Sequence, residues 1–546
     1  MPPACTVFRG GTVLTGDLSQ PVATAVAVHG GRVVGLDSEA LDLVGKDTLV
    51  VELAGRCLVP GFRDGHIHPL WGGTETLAAP IVDAVDVEDL LGRLRRYAAA
   101  RPGLPWIVGY GYPPEILPAG VGDARVLDAA VPDRPVALWS SDHHMAWASS
   151  LALAAAGIDV HTPDPPRGTI VRRGDGTPTG TLLEAAIELL EPHVPPSGAT
   201  VKAEGLAVAL QRMAAAGIVW VQEAALGPED VRVYLDLAAA GRLTADVNIA
   251  LRVDPARWAA QREEFLAARE AATTAAAARA ADGVPGGRVT VASVKFFADG
   301  VIEGGTGALL EPYVDDPCSC GIPNWSAAEL AEAVAAFDAD GFQAHVHAIG
   351  DAAVRMTLDA VEHTARLNGQ RDRRPVVAHT HLVHPDDVPR FAELGAIANF
   401  EPLWAQRNEV MTALTEPRLG PERSRWQYPI GDVWRTGATV SFGSDWPVSS
   451  MVPMEGIAVA VTRQTRDGAP EDGWLPHQRL GLDDALAAYT RGTAYQAFDD
   501  RAGCIRCGAP ADLCLLGEDI AHLPGPQLAA VAVEGTWLAG TEVHRT

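Results

Sequence analysis

Lysine is the scarcest charged residue of this 546-residue chain: Lys46, Lys202 and Lys295 stand against 40 arginines. Surface charge is therefore carried by other residues, and a lysine inside an apolar run calls for a reason. Positive charge is short overall. The net charge of −26 argues against a nucleic-acid or anionic-membrane partner and predicts a soluble, self-repelling surface. No apolar run reaches the length of a bilayer span, and "MPPACTVFRGG" lacks the basic-then-apolar order of a signal peptide. Cytoplasmic residence is the expectation. The seven cysteines are odd in number and scattered. "CIRC" at 504–507 has zinc-site or redox spacing, but with no second Cys or His pair it reads as strand and turn. Near the first barrel-type strand no glycine-rich phosphate loop appears, which argues against a doubly wound open sheet.

The residues present describe a globular chain, 47% hydrophobic and 21% charged, long enough for two or three structural units. Residues 6–58 alternate short strands with Gly-Gly and Gly-Asp turns, and "ADLCLLGED" and "AAVAVEGTWLAGTEV" in the tail read the same way. We therefore expect a discontinuous β-sandwich domain built from 1–58 and 500–546. Between them, 59–499 contains eight candidate strands separated by helices: "CLVPGFRDGHIH", "GIVWVQEA", "ADVNIALRV", "VTVASVKFFADG", "FQAHVHAIGD", "PVVAHTHLVH", "AIANFEP" and "ATVSFGSDWPV". That is the rhythm of a (β/α)8 TIM-like barrel. Two stretches break it. The long interval between strands one and two predicts an inserted lid or subdomain at about 80–200, and 255–283 predicts one long Ala- and Arg-rich helix. In "NWSAAELAEAVAAFDADG", Ser326 and Glu329 form a capping box and Gly341 ends the helix.

Ligand-type residues recur at the carboxyl ends of the strands. The first offers His66 and His68, the fourth Lys295, the fifth His345 and His347, the sixth His379 and His381, the eighth Asp445. Side chains two apart on a strand share a face, so His66 and His68 can grip one ion. All barrel strand ends converge on one face, where active sites form. His143, His363, His477 and His522 read as surface or helix residues. Lys295 sits between Val294 and Phe296, where burial favours the neutral amine. A neutral amine can take up carbon dioxide as an anionic, bidentate carbamate able to bridge two cations. The bland alternatives are an ion pair with an acid such as Asp299, or a snorkelling side chain.

"VPGFRDGHIHP", "VKFFADG", "HVHAIGD", the His379 strand and "GSDWPV" together resemble the amidohydrolase superfamily, in the amidohydrolase-3-like branch that includes N-substituted formamide deformylase. "GTPTGTLLE" and "GCIRCGAPADLCLL" fit the same branch. The resemblance implies a binuclear centre of two divalent ions, zinc by default with manganese, iron or cobalt also compatible. His66, His68 and Asp445 would hold one ion and His347 and His379 the other, with Lys295 bridging after carboxylation by carbon dioxide. His345 and His381, on the same strand faces as their neighbours, stay open as alternatives to His347 and His379. His144 matches a family histidine and is the candidate for stabilising the oxyanion or binding substrate. Trp404 and Trp446 either line the pocket or pack in the core. The sequence departs from the pattern at Ala378, where the branch has Glu, and at the extra His143. The resemblance implies a hydrolase of non-peptide C–N bonds in N-formyl or N-acyl amines, acting through a bridging hydroxide with Asp445 as proton shuttle. A lactone, cyclic amide, amidine or decarboxylation substrate in the same cup is the alternative, and a silent scaffold a weaker one. The expected partner is a small-molecule amide, with a homodimer as the assembly considered.

Overall fold

The computed structural model describes residues 5–141, 145–165 and 168–546, except the side chains of Glu115 and Ala119. Two compact units are present, Met1–Pro69 with Leu210–Thr546, and Leu70–Ala209.

The first unit contains eight parallel strands laddered in chain order: Phe62–Ile67, Ile218–Leu226, Asp246–Arg252, Val289–Phe297, Gln343–Ala348, Val376–His379, Ile397–Phe400 and Val440–Phe442. Several, such as Gln343–Ala348 and Ile397–Phe400, are buried along their whole length, as parallel strands covered on both faces must be. Helices alternate with them. Ala327–Ala339 starts on the Ser326–Glu329 capping box, Asp351–Asn368 follows the fifth strand, and the long predicted helix is Trp258–Ala281. The seam between the eighth and first strands is sewn beyond the eighth: the Ser444 and Asp445 amides donate to the His66 carbonyl, at 3.2 and 2.7 Å. Gly443 makes this approach possible, since a Cβ there would lie 2.7 Å from the His66 nitrogen.

Both termini build a separate eight-stranded mixed sheet. Its central strand Thr6–Leu14 pairs antiparallel with Val22–His29 and parallel with Leu49–Glu52 and Cys57–Pro60. Cys57–Pro60 in turn receives Leu513–Leu516 from the C-terminal end. Phe8 meets Trp537 edge-on at 4.9 Å in a core with Val13, Val26, Leu58 and Leu515. This sheet ends directly at the barrel: Gly61 N–H donates to the Asp512 carbonyl, and Phe62 opens the first barrel strand.

In the second unit, Ile107–Tyr112, Val136–Ser140, Met145–Ala148, Pro178–Glu184 and Gly168–Arg172 form a five-stranded sheet in that spatial order. The expected insertion, 80–200, lies inside this unit. Two segments of it touch backbone to backbone at Gly73 and Gly205; a Cβ on Gly73 would sit 2.1 Å from the Gly205 carbonyl oxygen.

Candidate metal centre

The strand ends place the site. His66 is on the first strand, and its side chain is completely buried; His68 follows it into the loop and keeps 8% exposure. Asp64 fixes their backbone, its Oδ1 accepting from the amides of His66 and Ser444 at 3.1 Å each. The same carboxylate thus serves the seam and the first imidazole. The sixth strand ends at His379 with φ of +72°, and Asp445 lies just beyond the eighth at +53°. Both are left-handed conformations that a non-glycine residue adopts at a cost, held here by the surrounding packing.

These turns bring the donors together. One donor atom from each of His66, His379 and Asp445 lies within 4.8 Å of the others, all three residues being buried. Asp445 Oδ1 is 3.5 Å from His66 Nε2 and 3.0 Å from His68 Nε2. Lys295, with no exposed surface, puts Nζ 3.1 Å from His66 Nε2 and 4.7 Å from the centre of the Phe297 ring. The rings of His66 and His347 each lie 4.5 Å, centre to centre, from that of His379.

Other candidates separate by where their nitrogens point. His347 Nε2 is 3.0 Å from the Gly300 carbonyl and 3.6 Å from Asp299. His345 Nε2 instead lies 2.9 Å from His66 Nδ1, behind that ring. His381 turns away to Gln427 Oε1 at 2.8 Å and stacks on Tyr428. Asp299 takes three backbone amides, from Ala308, Ile349 and Gly350, and is not the partner of Lys295 in any hydrogen bond found among the described residues. Trp404 stacks on His379, 5.6 Å between centres and 1° from parallel. Trp446 is 8% exposed and its carbonyl accepts the His68 amide. His363, His477 and His522 are exposed. His143 and His144 lie outside the described residues. Cys504 is buried and Cys507 exposed, both as free thiols.

Burial governs the charges. It holds His66, His345 and His347 well below the ordinary imidazole value, helped in each by the Lys295 charge, and His379 at about 3. Neutral imidazole is the form that binds a cation. Burial also lowers Lys295 to about 8, against the pull of Asp445 and Glu401. His68 is the exception: burial opposes its charge, yet the Asp445 and Glu223 carboxylates raise it to about 9.

Two acids absent from the sequence-based site complete the ring. Glu223, 1% exposed on the second strand, lies 3.6 Å from His68 Nδ1 and accepts from the Tyr234 hydroxyl. Glu401, fully buried just after the seventh strand, lies 3.0 Å from His379 Nδ1. The signal was available. Strands two and seven end in "VQEA" and "NFEP", and an acid at a barrel strand end belongs to the active-site layer by the same rule that selected the histidines.

The arrangement is a buried cup of imidazoles and carboxylates around one amine, suited to oxygen- and nitrogen-loving divalent cations. The chain is 30% identical to Protein LONG AFTER FAR-RED 3 of Arabidopsis thaliana, covering 98% of this chain and 91% of the relative. It is 26% identical to N-substituted formamide deformylase of Arthrobacter pascens, covering 97% and 96%. In three dimensions it resembles an uncharacterized metal-dependent hydrolase of Pyrococcus horikoshii OT3, with a TM-score of 0.75 at 23% identity over 95% of this chain and 99% of that one. With residues 49–544 matching that family's model, the chain belongs to the Amidohydrolase family.

Proposed function

We propose that this protein hydrolyses the amide bond of an N-formyl or N-acyl amine at a site for two divalent cations. The observation that carries the reading is the clustering of His66, His379 and Asp445 donors within 4.8 Å, all buried, with the Lys295 amine 3.1 Å from His66. A buried lysine packed against a buried imidazole gains little from its own charge, but the set fits a cation well. The deformylase relative, named for N-substituted formamides, supports the choice of bond.

His66, His68 and Asp445 would hold one ion. His379 would hold the other together with His347, whose Nε2 proton goes to the Gly300 carbonyl and leaves Nδ1 as the ligand nitrogen. Lys295 would complete the ligand set: its neutral amine would add to carbon dioxide, forming an N–C bond and releasing one proton, and would then serve as an anionic ligand. Zinc suits this donor set, with manganese, iron and cobalt also compatible. Bound there, the cations supply Lewis acidity, which polarises a carbonyl and acidifies water near neutral pH. Asp445 keeps Oδ1 toward His66 and His68. Its second oxygen is left to take the proton of the attacking water and return it to the leaving nitrogen. Trp404, stacked on His379, forms an apolar wall for the acyl or amine group.

Metal analysis joined to a panel of N-formyl, N-acyl and cyclic amides tests the reading. Stoichiometric metal with release of formate or another acid is expected, and Asp445→Asn should keep some metal while losing at least about a hundredfold in kcat. Turnover confined to lactones or amidines would move the reading to another bond. A metal-free, inert protein would end it.

A further inference from the structure

Glu401 is a carboxylate with no solvent exposure at the end of the seventh barrel strand. Its Oε2 is 3.0 Å from His379 Nδ1, while its Oε1 has no hydrogen-bond partner. A group so placed is costly to bury, and the contact with His379 is its specific compensation. That imidazole is held on every side: Trp404 lies parallel to it, His66 and His347 each pack at 4.5 Å, and its backbone is left-handed. With the ring thus fixed, the remaining freedom is which nitrogen carries the proton. Burial and the Asp445 charge favour the neutral acid at Glu401, whereas a cation on the opposite ring nitrogen favours its carboxylate, which at Nδ1 can only accept. The ring then donates from Nδ1 and presents the Nε2 lone pair.

We propose that Glu401 is the positioning residue for His379: by accepting the Nδ1 proton it selects the tautomer whose Nε2 binds the second cation, and it thereby sets the affinity for that ion. The proposal rests on the reading of His379 as a metal ligand. Glu223 stands in a similar place on the far side of the cup, but at 3.6 Å from His68 Nδ1, where Asp445 already engages the other nitrogen at 3.0 Å. The stronger control is therefore at Glu401. The sequence holds the same relation in a form that spacing hides, since the two residues are 22 positions apart, at the ends of adjacent strands.

The test uses the full chain, stripped of metal and titrated with zinc, as wild type and as the near-isosteric Glu401→Gln. The second zinc equivalent is expected to bind about 10–100-fold more weakly in Glu401→Gln, and to be removed correspondingly faster by a chelator, with the first equivalent little changed. A second readout needs no variant to fold at Glu401. In nitrogen-labelled, zinc-loaded wild type, His379 (assigned by the signal lost in His379→Asn) is expected to keep its proton on Nδ1. An Nε2–H tautomer there, or unchanged affinity for both equivalents in Glu401→Gln, overturns the role of Glu401 and leaves the metal reading standing. A wild-type protein that takes up no zinc overturns the metal reading and this proposal with it.

Discussion

Lys295 shows how a single residue changes meaning with its neighbours. By composition it is one of three lysines, and by local sequence a charge in an apolar strand. In the fold it is fully buried, 3.1 Å from His66 Nε2 and lowered to about 8. Arginine could not stand in, since a guanidinium stays protonated and forms no carbamate. Lys295→Ala should lose most bound metal and at least about a hundredfold in activity, with partial recovery when a short carboxylic acid is added to fill the bridging place. Metal content and turnover with and without the added acid measure this. Wild-type metal and activity in the variant would refute the bridge. Glu223 and Glu401 are harder to read from sequence for a physical reason: a lone Glu in an apolar run carries no spacing of its own, unlike H-x-H, and is marked only by its place at a strand end.

At the scale of elements, the seam between the eighth and first strands decides whether the donors meet. The eighth strand is only Val440–Phe442, and the backbone beyond it does the joining: the Ser444 and Asp445 amides bond to the His66 carbonyl, Ser444 also to Asp64. Gly443 sits where a Cβ would be 2.7 Å from the His66 nitrogen and 2.8 Å from its Cβ. Backbone cannot yield there as a side-chain tip can, so Gly443→Ala should destabilise the fold by about 1–3 kcal/mol and lower metal occupancy by displacing Asp445. The denaturation midpoint and metal content check both effects; a variant unchanged in both would show that the seam tolerates the shift. The strands themselves were legible as apolar runs, and the capping box at Ser326 as a local pattern. Their ends were less so. "PVVAHTHLVH" reads as a strand through both histidines, whereas the structure stops it at His379 and turns the chain through positive φ at His379 and Thr380. That turn sends His381 to Gln427 and leaves His379 in the cup.

For the whole molecule, the site gathers side chains from the first, fourth, fifth, sixth and eighth strands, with Glu223 and Glu401 adding the second and seventh. An ion held by such distant parts of the chain exists only in the native state and stabilises it through mass action, by about 2.7 kcal/mol at a free concentration of 100 Kd. Zinc should therefore raise the thermal midpoint and a chelator lower it, with the difference much reduced in Lys295→Ala. Equal midpoints with and without zinc would argue against an ion shared across the strand ends.

The sequence by itself determined the eight-strand rhythm, the pairing of both termini in one β-rich region and the residue types of the site, because period-2 alternation, turn glycines and H-x-H spacing are local properties of the chain. Only the tertiary structure decided that His379 and not His381 faces the cup and that Glu401 meets His379. Those depend on where strands end, how the backbone turns beyond them and which strands become neighbours, all of which arise from packing between residues far apart in sequence.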